Sequence, residues 1–327
     1  MNIIDELKSK IKGKDFRIVF PEATEERNLR AVAQLNQEGF IKTVLVGKKG
    51  SIEEAASNLH IDLSRSEIVD PATDPNFEST VEAFVKRRKG KATKEDAEKI
   101  LLDPIYYATM LVYLKRADGL VSGAIHSTAD TVRPALQIIK TRPGASRVSG
   151  SFLMEKGEQR YLMADCAINI EPDAATLAEI AYQSKQTAEL FNIDPKVALL
   201  SFSTKGSAKH PLVDKVSEAT KLVQQLDPSG HYDGDLQFDA AFVPEVGQLK
   251  APDSKVAGNA NVFIFPSLEA GNIGYKMTQR LGGFRALGPI LQGLNRPVSD
   301  LSRGCSKEDI VEIAAVTATL ALMNNEN

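Results

Sequence analysis

Short runs of β-branched and aromatic residues alternate with longer amphipathic stretches along most of this chain. The short runs predict strands at 16–20, 43–46, 119–122, 147–154, 161–167, 197–203, 238–242 and 262–265. The amphipathic stretches predict helices at 22–38, 51–59, 174–190 and 213–226, a helix that follows residue 122 toward 139, and a helical region at 77–115. Because strands that alternate with helices favour parallel sheets with crossover connections, the pattern predicts an α/β fold.

A Pro/Gly turn at 141–145 separates two series of these elements. The chain has 327 residues, which suggests two domains on the rough prior of about 150 residues each. No internal repeat or low-complexity tract interrupts either series.

The composition of the chain argues against two classes of binding partner, nucleic acids and membranes. Apolar residues make up 43% of the chain and charged residues 25%, as in ordinary globular proteins. The formal net charge of -3 argues against bulk electrostatic binding to nucleic acid or to an anionic membrane, so an anionic ligand has to be met by clustered arginines. No run approaches the roughly 18 apolar residues of a membrane span, and residues 1–14 lack the apolar stretch of a signal peptide.

The cysteines and histidines carry no metal or disulfide pattern. Cys166 and Cys305 are the two cysteines, and their spacing argues against a disulfide framework and favours a reducing compartment. The four histidines are scattered without ligand spacing, so no metal site is predicted. We therefore expect a cytoplasmic protein.

The segment 297–310 places Ser302 and Arg303 beside a Gly turn that opens a helix. Hydroxyl and guanidinium groups at such a turn predict an anion site. Ser306 and Asp309 have the spacing of a capping box, so Asp309 either caps this helix or acts as a base beside the anion site. A carboxylate near a helix N-terminus is stabilised in its charged form and is a weak base, so the second role requires that water be removed around it.

The segment 122–130 follows an apolar strand and leads into another helix. Small residues and hydroxyls lie there where backbone N–H groups are expected to be free, which predicts a phosphate cradle with Arg133 just beyond it. Pro134 is best tolerated in a first helical turn, which predicts that the helix begins near Thr131. The alternative is a second capping box formed by Ser127 and Asp130, with Arg133 paired to a local acid.

Several common catalytic motifs are absent from the sequence. There is no GxxxxGK[ST], GxGxxG, GxSxG or HExxH. A P-loop, a dinucleotide fingerprint, a hydrolase nucleophile elbow and a zinc-protease helix are therefore unsupported.

Five separated blocks resemble one family, the phosphate acetyl/butyryltransferases, and within it the phosphate acetyltransferases (phosphotransacetylases). The blocks are 20–27, 118–134, 164–169, 262–266 followed by Gly271-Asn272 and Tyr275-Lys276, and 295–304. The resemblance implies reversible acetyl transfer between acetyl phosphate and coenzyme A, by direct attack of the thiolate in a ternary complex. It implies no permanently bound cofactor, since coenzyme A is a substrate, and its partners are small molecules rather than nucleic acid or a membrane.

The resemblance also implies an architecture. Two α/β/α domains with the active site in a cleft between them are expected, similar to the isocitrate and isopropylmalate dehydrogenases. The first domain is discontinuous, 1–145 plus 292–327, and the second, 146–291, is inserted into it. A homodimer is expected on the same ground.

Site residues are implied by matching the family motif residue by residue. Asp309 is the base, and Ser302 and Arg303 act at the reacting centre. The substrate-binding residues implied are Ser122, Gly123, His126, Ser127, Thr128, Arg133, Lys276 and Arg280. An arginine that binds the phosphates of coenzyme A is Arg88 or Arg87, because the spacing in this basic segment departs from the family pattern by one residue.

Three other functions stay open. A phosphate butyryltransferase has a similar overall pattern and takes a longer acyl chain. A metal- and NAD(P)-dependent decarboxylating dehydrogenase shares the expected architecture, but the chain shows no convincing set of metal-binding aspartates. A non-catalytic module of the kind fused to some malic enzymes is the third, and the presence of Ser302, Arg303 and Asp309 together argues against it.

Overall fold

The structure, a computed structural model, describes residues 3–325. The chain divides into two compact units, one formed by residues 3–143 together with 294–325, the other by residues 144–293. Both units combine helices with a β-sheet, so the predicted α/β class is confirmed.

The first unit is built on parallel strands. Its elements are α1 (Ile3–Ile11), β1 (Arg17–Phe20), α2 (Glu26–Glu38), β2 (Lys42–Val46), α3 (Lys49–Asn58), β3 (Glu67–Val69), α4 (Phe77–Arg88), α5 (Lys94–Ile100), α6 (Pro104–Tyr113), β4 (Gly119–Ser122), α7 (Thr128–Pro134), a π-helical turn (Ala135–Ile139), β11 (Val298–Asp300) and α13 (Lys307–Asn325). The strand order is β3-β2-β1-β4-β11, and every neighbouring pair is parallel. The carboxyl ends of β1, β4 and β11 therefore meet at one edge of this sheet.

The second unit has a mixed sheet. Its elements are β5 (Ser149–Lys156), β6 (Gln159–Ala164), α8 (Ala174–Leu190), β7 (Lys196–Leu200), α9 (Pro211–Leu226), β8 (His231–Leu236), α10 (Phe238–Phe242), α11 (Pro244–Lys250), β9 (Val262–Ile264), α12 (Leu268–Arg280) and β10 (Arg285–Gln292). The order is β10-β5-β6-β9-β7-β8, with β5 antiparallel to both of its neighbours and the other pairs parallel.

The prediction of a strand at 238–242 is wrong, because those residues form the helix α10. The strand of this region is β8, which lies just before them. Phe238 and Phe242 are one helical turn apart and their rings stack with centroids 5.5 Å apart, which explains how a short aromatic run forms a helix instead of a strand.

The predicted start of α7 near Thr131 is also wrong. The helix begins at Thr128, where Ser127 and Asp130 form a reciprocal capping box, and Pro134 is its last residue. The capping box satisfies two backbone donors at the start, and the chain continues after Pro134 as a π-helical turn. The capping alternative drawn from the sequence is therefore the one that the structure adopts.

α13 fixes the region that precedes it because it is buried along most of its length. Ile310, Val311, Ile313 and Ala314 are each at most 2% exposed, and the helix packs against α1, α2 and β4. A helix held on several sides presents its first turn in one defined position.

Candidate active site

Three chain segments meet at the carboxyl edge of the first unit's sheet. The Glu22 loop (21–27) follows β1, the His126 loop (123–127) follows β4, and the Ser302 turn (301–306) follows β11. Leu301 N–H donates to the Ser122 carbonyl at 2.8 Å, which joins the last two segments. In parallel sheets, this edge is where binding sites are usually built.

Glu22 organises the His126 loop. Its side chain is 1% exposed, and its carboxylate accepts hydrogen bonds from four consecutive backbone N–H groups, at 3.0 Å from Gly123, 2.8 Å from Ala124, 2.9 Å from Ile125 and 3.0 Å from His126. His126 Nδ1 lies 2.8 Å from the same carboxylate. Burial opposes ionisation of Glu22, but these hydrogen bonds outweigh it and hold its pKa below the usual value.

The expectation that the backbone N–H groups of this loop are free is therefore wrong. They form an anion-binding nest, as the sequence indicated, but the anion is the protein's own Glu22 carboxylate. Ser122 is fully buried and Gly123 is buried, so neither contacts solvent as folded. Gly123 is required there, since its φ is +112° and a Cβ would lie 2.6 Å from the Leu301 backbone nitrogen.

The hydroxyls of the loop are engaged as well. Ser127 Oγ donates to Asp130 at 2.6 Å, and Thr128 Oγ1 donates to Asp300 Oδ2 at 2.6 Å. Arg133 lies 3.8 Å from Asp130, and its side chain is 59% exposed. Of the predicted residues of this region, His126 and Arg133 keep polar side-chain atoms that these hydrogen bonds do not use, and their side chains are 40% and 59% exposed.

The Ser302 turn and the first turn of α13 carry the three residues assigned to catalysis. Ser302 and Arg303 are exposed, and the Ser302 hydroxyl accepts from the Gly304 N–H at 3.3 Å, so its own hydrogen is left to donate elsewhere. Asp309 is half-buried and forms a capping box with Ser306: the Ser306 N–H donates to Asp309 Oδ2 at 2.8 Å, and the Asp309 N–H donates to Ser306 Oγ at 3.1 Å. One Asp309 oxygen is thus used to cap α13, which is the first of the two roles that the sequence predicted for this residue.

Asp300 is a carboxyl group to which the sequence assigned no role. It is 1% exposed, and Oδ1 has no hydrogen-bond partner among the described residues. Burial raises its pKa to about 6, against the lowering effect of the hydrogen bond from Thr128. No pattern in the sequence marked Asp300 as buried, because β11 (Val298-Ser299-Asp300) has a single apolar residue.

Asp300 should make the protein less stable as the pH rises from about 4 to above 6. Its pKa is raised in the folded state, so its contribution is fully present below the unfolded value and is lost as the pH passes the folded value. Asp300→Asn should therefore reduce the fall in unfolding free energy between pH 4.5 and pH 7.5 by about 2 kcal/mol, since this window begins above the unfolded value of the pKa. Denaturant titrations at the two pH values measure this difference.

Asp130→Asn is the matched control for that measurement, because Asp130 is a capping acid whose pKa is lowered by its hydrogen bonds with Ser127. Asp130 stays charged between pH 4.5 and pH 7.5, so its replacement should leave the pH dependence of the unfolding free energy unchanged. If Asp300→Asn showed the same pH dependence as the unmodified protein, the effect of burial on Asp300 would be contradicted.

Arg87 and Arg88, at the end of α4, have different surroundings. Arg87 donates to the carbonyl oxygens of Ile138 at 2.6 Å and Ile139 at 2.9 Å, and its guanidinium lies 4.9 Å from the Tyr113 ring centre. Arg88 is half-buried. The charges of Arg88 and Arg133 both act on Tyr106, whose pKa is nevertheless raised by burial.

A cationic cluster surrounds these arginines: Arg87, Arg88, Lys89, Lys91 and Lys140. Burial and the four neighbouring cations lower the pKa of Lys140. The cluster belongs to the first unit and provides the concentrated positive charge that the overall composition lacks.

Lys276 and Arg280 lie on α12 of the second unit, and both are exposed. Gly271 lies inside this helix, which Ser267 caps and which begins at Leu268. Another segment approaches it closely, since a Cβ on Gly271 would lie 2.1 Å from the Asp165 carbonyl oxygen. The second unit also contains a cavity of about 720 Å³, lined among others by Lys205, His231 and Lys250, and none of the predicted site residues lines it.

Within residues 3–325, no group of three or more His, Cys, Asp or Glu side chains is arranged to hold a metal ion. Among these residues, no helix combines the length and the apolarity needed to cross a bilayer.

Comparison with known proteins gives consistent matches along the whole chain. The model of the phosphate acetyl/butaryl transferase family matches residues 2–318. A phosphate acetyltransferase from Bacillus subtilis is 56% identical over 98% of this chain and 99% of its own length, and one from Staphylococcus epidermidis is 55% identical with the same coverage.

Solved structures agree with these matches. A phosphotransacetylase from Streptococcus pyogenes has a TM-score of 0.96 at 56% identity, and the EutD phosphotransacetylase from Staphylococcus aureus has 0.93 at 54% identity, each with 98% of both chains covered. A branched-chain phosphotransacylase from Enterococcus faecalis, at 20% identity and a TM-score of 0.68 over 94% of this chain and 99% of its own, shares the fold. The chain therefore belongs to the phosphate acetyl/butaryl transferase family.

Proposed function

We propose that this protein is a phosphate acetyltransferase, which transfers an acetyl group reversibly between acetyl phosphate and coenzyme A. The observation that carries the proposal is 54–56% identity, over 98% of the chain, to proteins that bear this name. The Ser302 turn and the start of α13 support it chemically, because a hydroxyl, a guanidinium and a carboxylate lie within eight residues at the carboxyl edge of a parallel sheet.

In this reaction the coenzyme A sulfur attacks the carbonyl carbon of acetyl phosphate. A carbon–sulfur bond forms, the bond from that carbon to the phosphate oxygen breaks, and phosphate leaves with the electron pair. Asp309 takes the thiol proton, the Ser302 hydroxyl donates to the developing oxyanion, and the planar donors of Arg303 hold the phosphate. The free hydrogen of Ser302 and the exposure of Arg303 support these roles.

The remaining substrate contacts are proposed in two groups. His126 and Arg133 contact the phosphoryl group, supported by their exposed side chains. Lys276 and Arg280 supply positive charge from α12. Ser122, Gly123, Ser127 and Thr128 act by shaping the His126 loop, since their polar groups are buried or already hydrogen-bonded.

Arg88, rather than Arg87, is proposed to bind the phosphates of coenzyme A, because the Arg87 guanidinium is engaged by two carbonyl oxygens and the Tyr113 ring. Arg88→Gln should raise the KM for coenzyme A about 10-fold, as expected for loss of a charge-assisted phosphate contact, while the KM for acetyl phosphate changes little. Steady-state kinetics with each substrate varied measures this split.

Arg87→Gln is the matched variant on the same helix, and it should lower stability more than it changes the KM for coenzyme A. The opposite pattern, with the KM change in Arg87→Gln alone, would assign the phosphates to Arg87.

A covalent acetyl-cysteine is not part of the proposed mechanism. Cys166 and Cys305 are buried, burial raises the pKa of Cys305 to about 11, and it raises the pKa of Cys166 well above the usual value. Since the thiolate is the nucleophilic form, neither side chain is suited to attack at neutral pH.

Cys305→Ala should keep turnover within about threefold of the unmodified protein, as expected for a substitution that removes no reacting group. Recovery of a labelled acetyl group on either cysteine would contradict this.

The decisive test is a direct assay of thioester formation from coenzyme A and acetyl phosphate. Formation of acetyl-CoA, together with release of free thiol from acetyl-CoA and phosphate in the reverse direction, is the expected result. Absence of both reactions in the folded protein would reject the proposal. Parallel rates with acetyl, propionyl and butyryl phosphate separate it from the alternative, a phosphate butyryltransferase.

The finer architecture is proposed with the function. A discontinuous first domain (1–145 plus 292–327), an inserted second domain (146–291) and an active-site cleft between them remain predictions. So does the homodimer, which is supported by large apolar side chains exposed on the second unit: Phe238, Leu249, Met277 and Leu281. Sedimentation of the purified protein measures its assembly state.

A further inference from the structure

Arg27, in the first turn of α2, contacts both the Ser302 turn, which carries Ser302 and Arg303, and the His126 loop. Its Nη1 donates to the carbonyl oxygens of Arg303 at 2.9 Å and Cys305 at 2.8 Å. Its Nη2 donates to the carbonyl oxygen of Ala124 at 2.9 Å. One planar guanidinium therefore joins the Ser302 turn to the His126 loop.

The same side chain is itself fixed from behind. Arg27 Nε donates to Glu25 Oε1 at 2.6 Å, while the second Glu25 oxygen accepts from the Asn28 N–H at the start of α2. Of the five N–H hydrogens of the guanidinium, one is thus given to a helix-capping carboxylate and three are directed at carbonyl oxygens of the two segments. Arg27 and α2 form one rigid element.

Ala124 is held from both sides by residues of the Glu22 loop. Its N–H donates to Glu22 at 2.8 Å, and its carbonyl oxygen accepts from Arg27. The Glu22 carboxylate thus fixes the backbone N–H groups of the His126 loop. The Arg27 guanidinium fixes one carbonyl oxygen of the same loop and two carbonyl oxygens of the Ser302 turn.

We propose that Arg27 is a positioning residue, which sets the place of Ser302 and Arg303 relative to His126 without contacting substrate. The inference rests on the proposed function, because the groups it positions are those assigned to acetyl transfer. Ser302 and Arg303 are exposed and lie on a short turn, so the carbonyl contacts of Arg27 are what holds this turn from the α2 side.

The expected effect is on turnover rather than on binding. Displacement of a catalytic group by about 1 Å can cost on the order of 10²-fold in rate, and loose support is a common reason for such displacement. Lysine cannot replace the guanidinium fully, because it offers a point charge instead of a planar fork that reaches several carbonyls at once.

The test compares Arg27→Gln and Arg27→Lys with Arg30→Gln. Arg30 lies one turn further along α2 and is bound to Glu26 on the surface, so it controls for loss of a cation from this helix. Arg27→Gln should lower kcat about 10- to 100-fold with less than a threefold change in the KM of either substrate, and Arg27→Lys should be intermediate. Arg30→Gln should match the unmodified protein.

Amide hydrogen exchange provides a readout that needs no activity. Peptides that cover 301–306 and 122–127 should exchange faster in Arg27→Gln than in the unmodified protein, while peptides from α8 in the second unit should be unchanged. Arg27→Lys, the milder substitution, gives the same readout if Arg27→Gln folds poorly.

Each outcome decides the inference. Unchanged exchange in both peptides, a kcat within twofold of the unmodified protein, or a change confined to KM would overturn it. Loss of kcat with faster exchange at the two segments supports it. If the unmodified protein fails to form acetyl-CoA, the proposed function fails and the positioning role fails with it, whereas an active unmodified protein with a fully active Arg27→Gln variant overturns the positioning role alone.

Discussion

Replacement of Asp309 by Asn should lower turnover by about 10²- to 10⁴-fold while the fold survives, which is the range usually contributed by general acid–base catalysis. The substitution removes proton-accepting ability but keeps an oxygen that can accept from the Ser306 N–H, so the start of α13 remains capped. The buried face of α13 holds the helix independently of this side chain.

The pH dependence distinguishes a base from a cap. A free thiol has a pKa of about 8.5, so in the absence of a base the rate should rise about tenfold per pH unit up to that value as the thiolate forms. Asp309→Asn should show this rise, and the unmodified protein should be much less dependent on pH over the same range. Initial rates of thioester formation between pH 6.5 and pH 9 measure both curves.

Asp96→Asn is the matched control, because Asp96 completes a capping box with Thr93 at the start of α5, a helix that carries none of the proposed site residues. It should retain full turnover and lose only the small stability that an exposed capping charge contributes. If Asp309→Asn behaved in the same way, with turnover near normal, Asp309 would be a cap and the thiol would have to be deprotonated by another group.

Periodicity in the sequence predicted the elements whose structure is decided locally. The helix at 174–190 has the predicted bounds, since Asp173 caps it and its apolar positions recur at helical spacing. The parallel arrangement of the first unit followed from the alternation of strands and helices. By contrast, β3 and β10 were not predicted, because β3 has only three residues and Gly288-Pro289 interrupts the apolar pattern of β10.

The site was predictable in its residues and not in its interactions. Matching of motifs selected the Ser302 turn and the His126 loop, and the capping boxes of both were visible as spacings in the sequence. No local pattern shows that Glu22 fills the nest formed by residues about a hundred positions later, or that Asp300 is buried beneath Gly123. These contacts depend on the order of β1, β4 and β11 in the sheet, which is a tertiary property.

Glu22→Gln should be the most destabilising conservative substitution at this edge of the sheet. Glu22 Oε2 accepts from Gly123 and Ala124, while Oε1 accepts from Ile125 and His126. A glutamine has one oxygen and one NH₂ group, so at least two buried N–H donors would face another donor. At about 1 to 3 kcal/mol for each unsatisfied group, the loss in unfolding free energy should be about 2 to 6 kcal/mol.

Glu26→Gln is the control for that measurement, since Glu26 lies four residues further along and forms an exposed pair with Arg30. It should change the unfolding free energy by less than about 1 kcal/mol. Denaturant titration of both variants gives the comparison, and hydrogen exchange at residues 123–126 locates the loss. A Glu22→Gln variant as stable as Glu26→Gln, with the loop amides still protected, would contradict the role of this carboxylate.

The pH dependence of the Glu22→Gln effect follows from the direction of the pKa shift. Burial alone would favour the neutral acid, but the hydrogen bonds from Ile125, His126 and Ala124 hold the pKa of Glu22 below its usual value. A lowered pKa means that the stabilisation is present above the unfolded value and is lost as the pH falls through the folded value. The difference in unfolding free energy between the unmodified protein and Glu22→Gln should therefore be largest at neutral pH and become smaller in acid.

Turnover should fall as well in Glu22→Gln, because the same carboxylate fixes the loop that presents His126. A loop without its internal anion no longer holds its groups in one position, so the loss of turnover should accompany the loss of protection at the amides of residues 123–126.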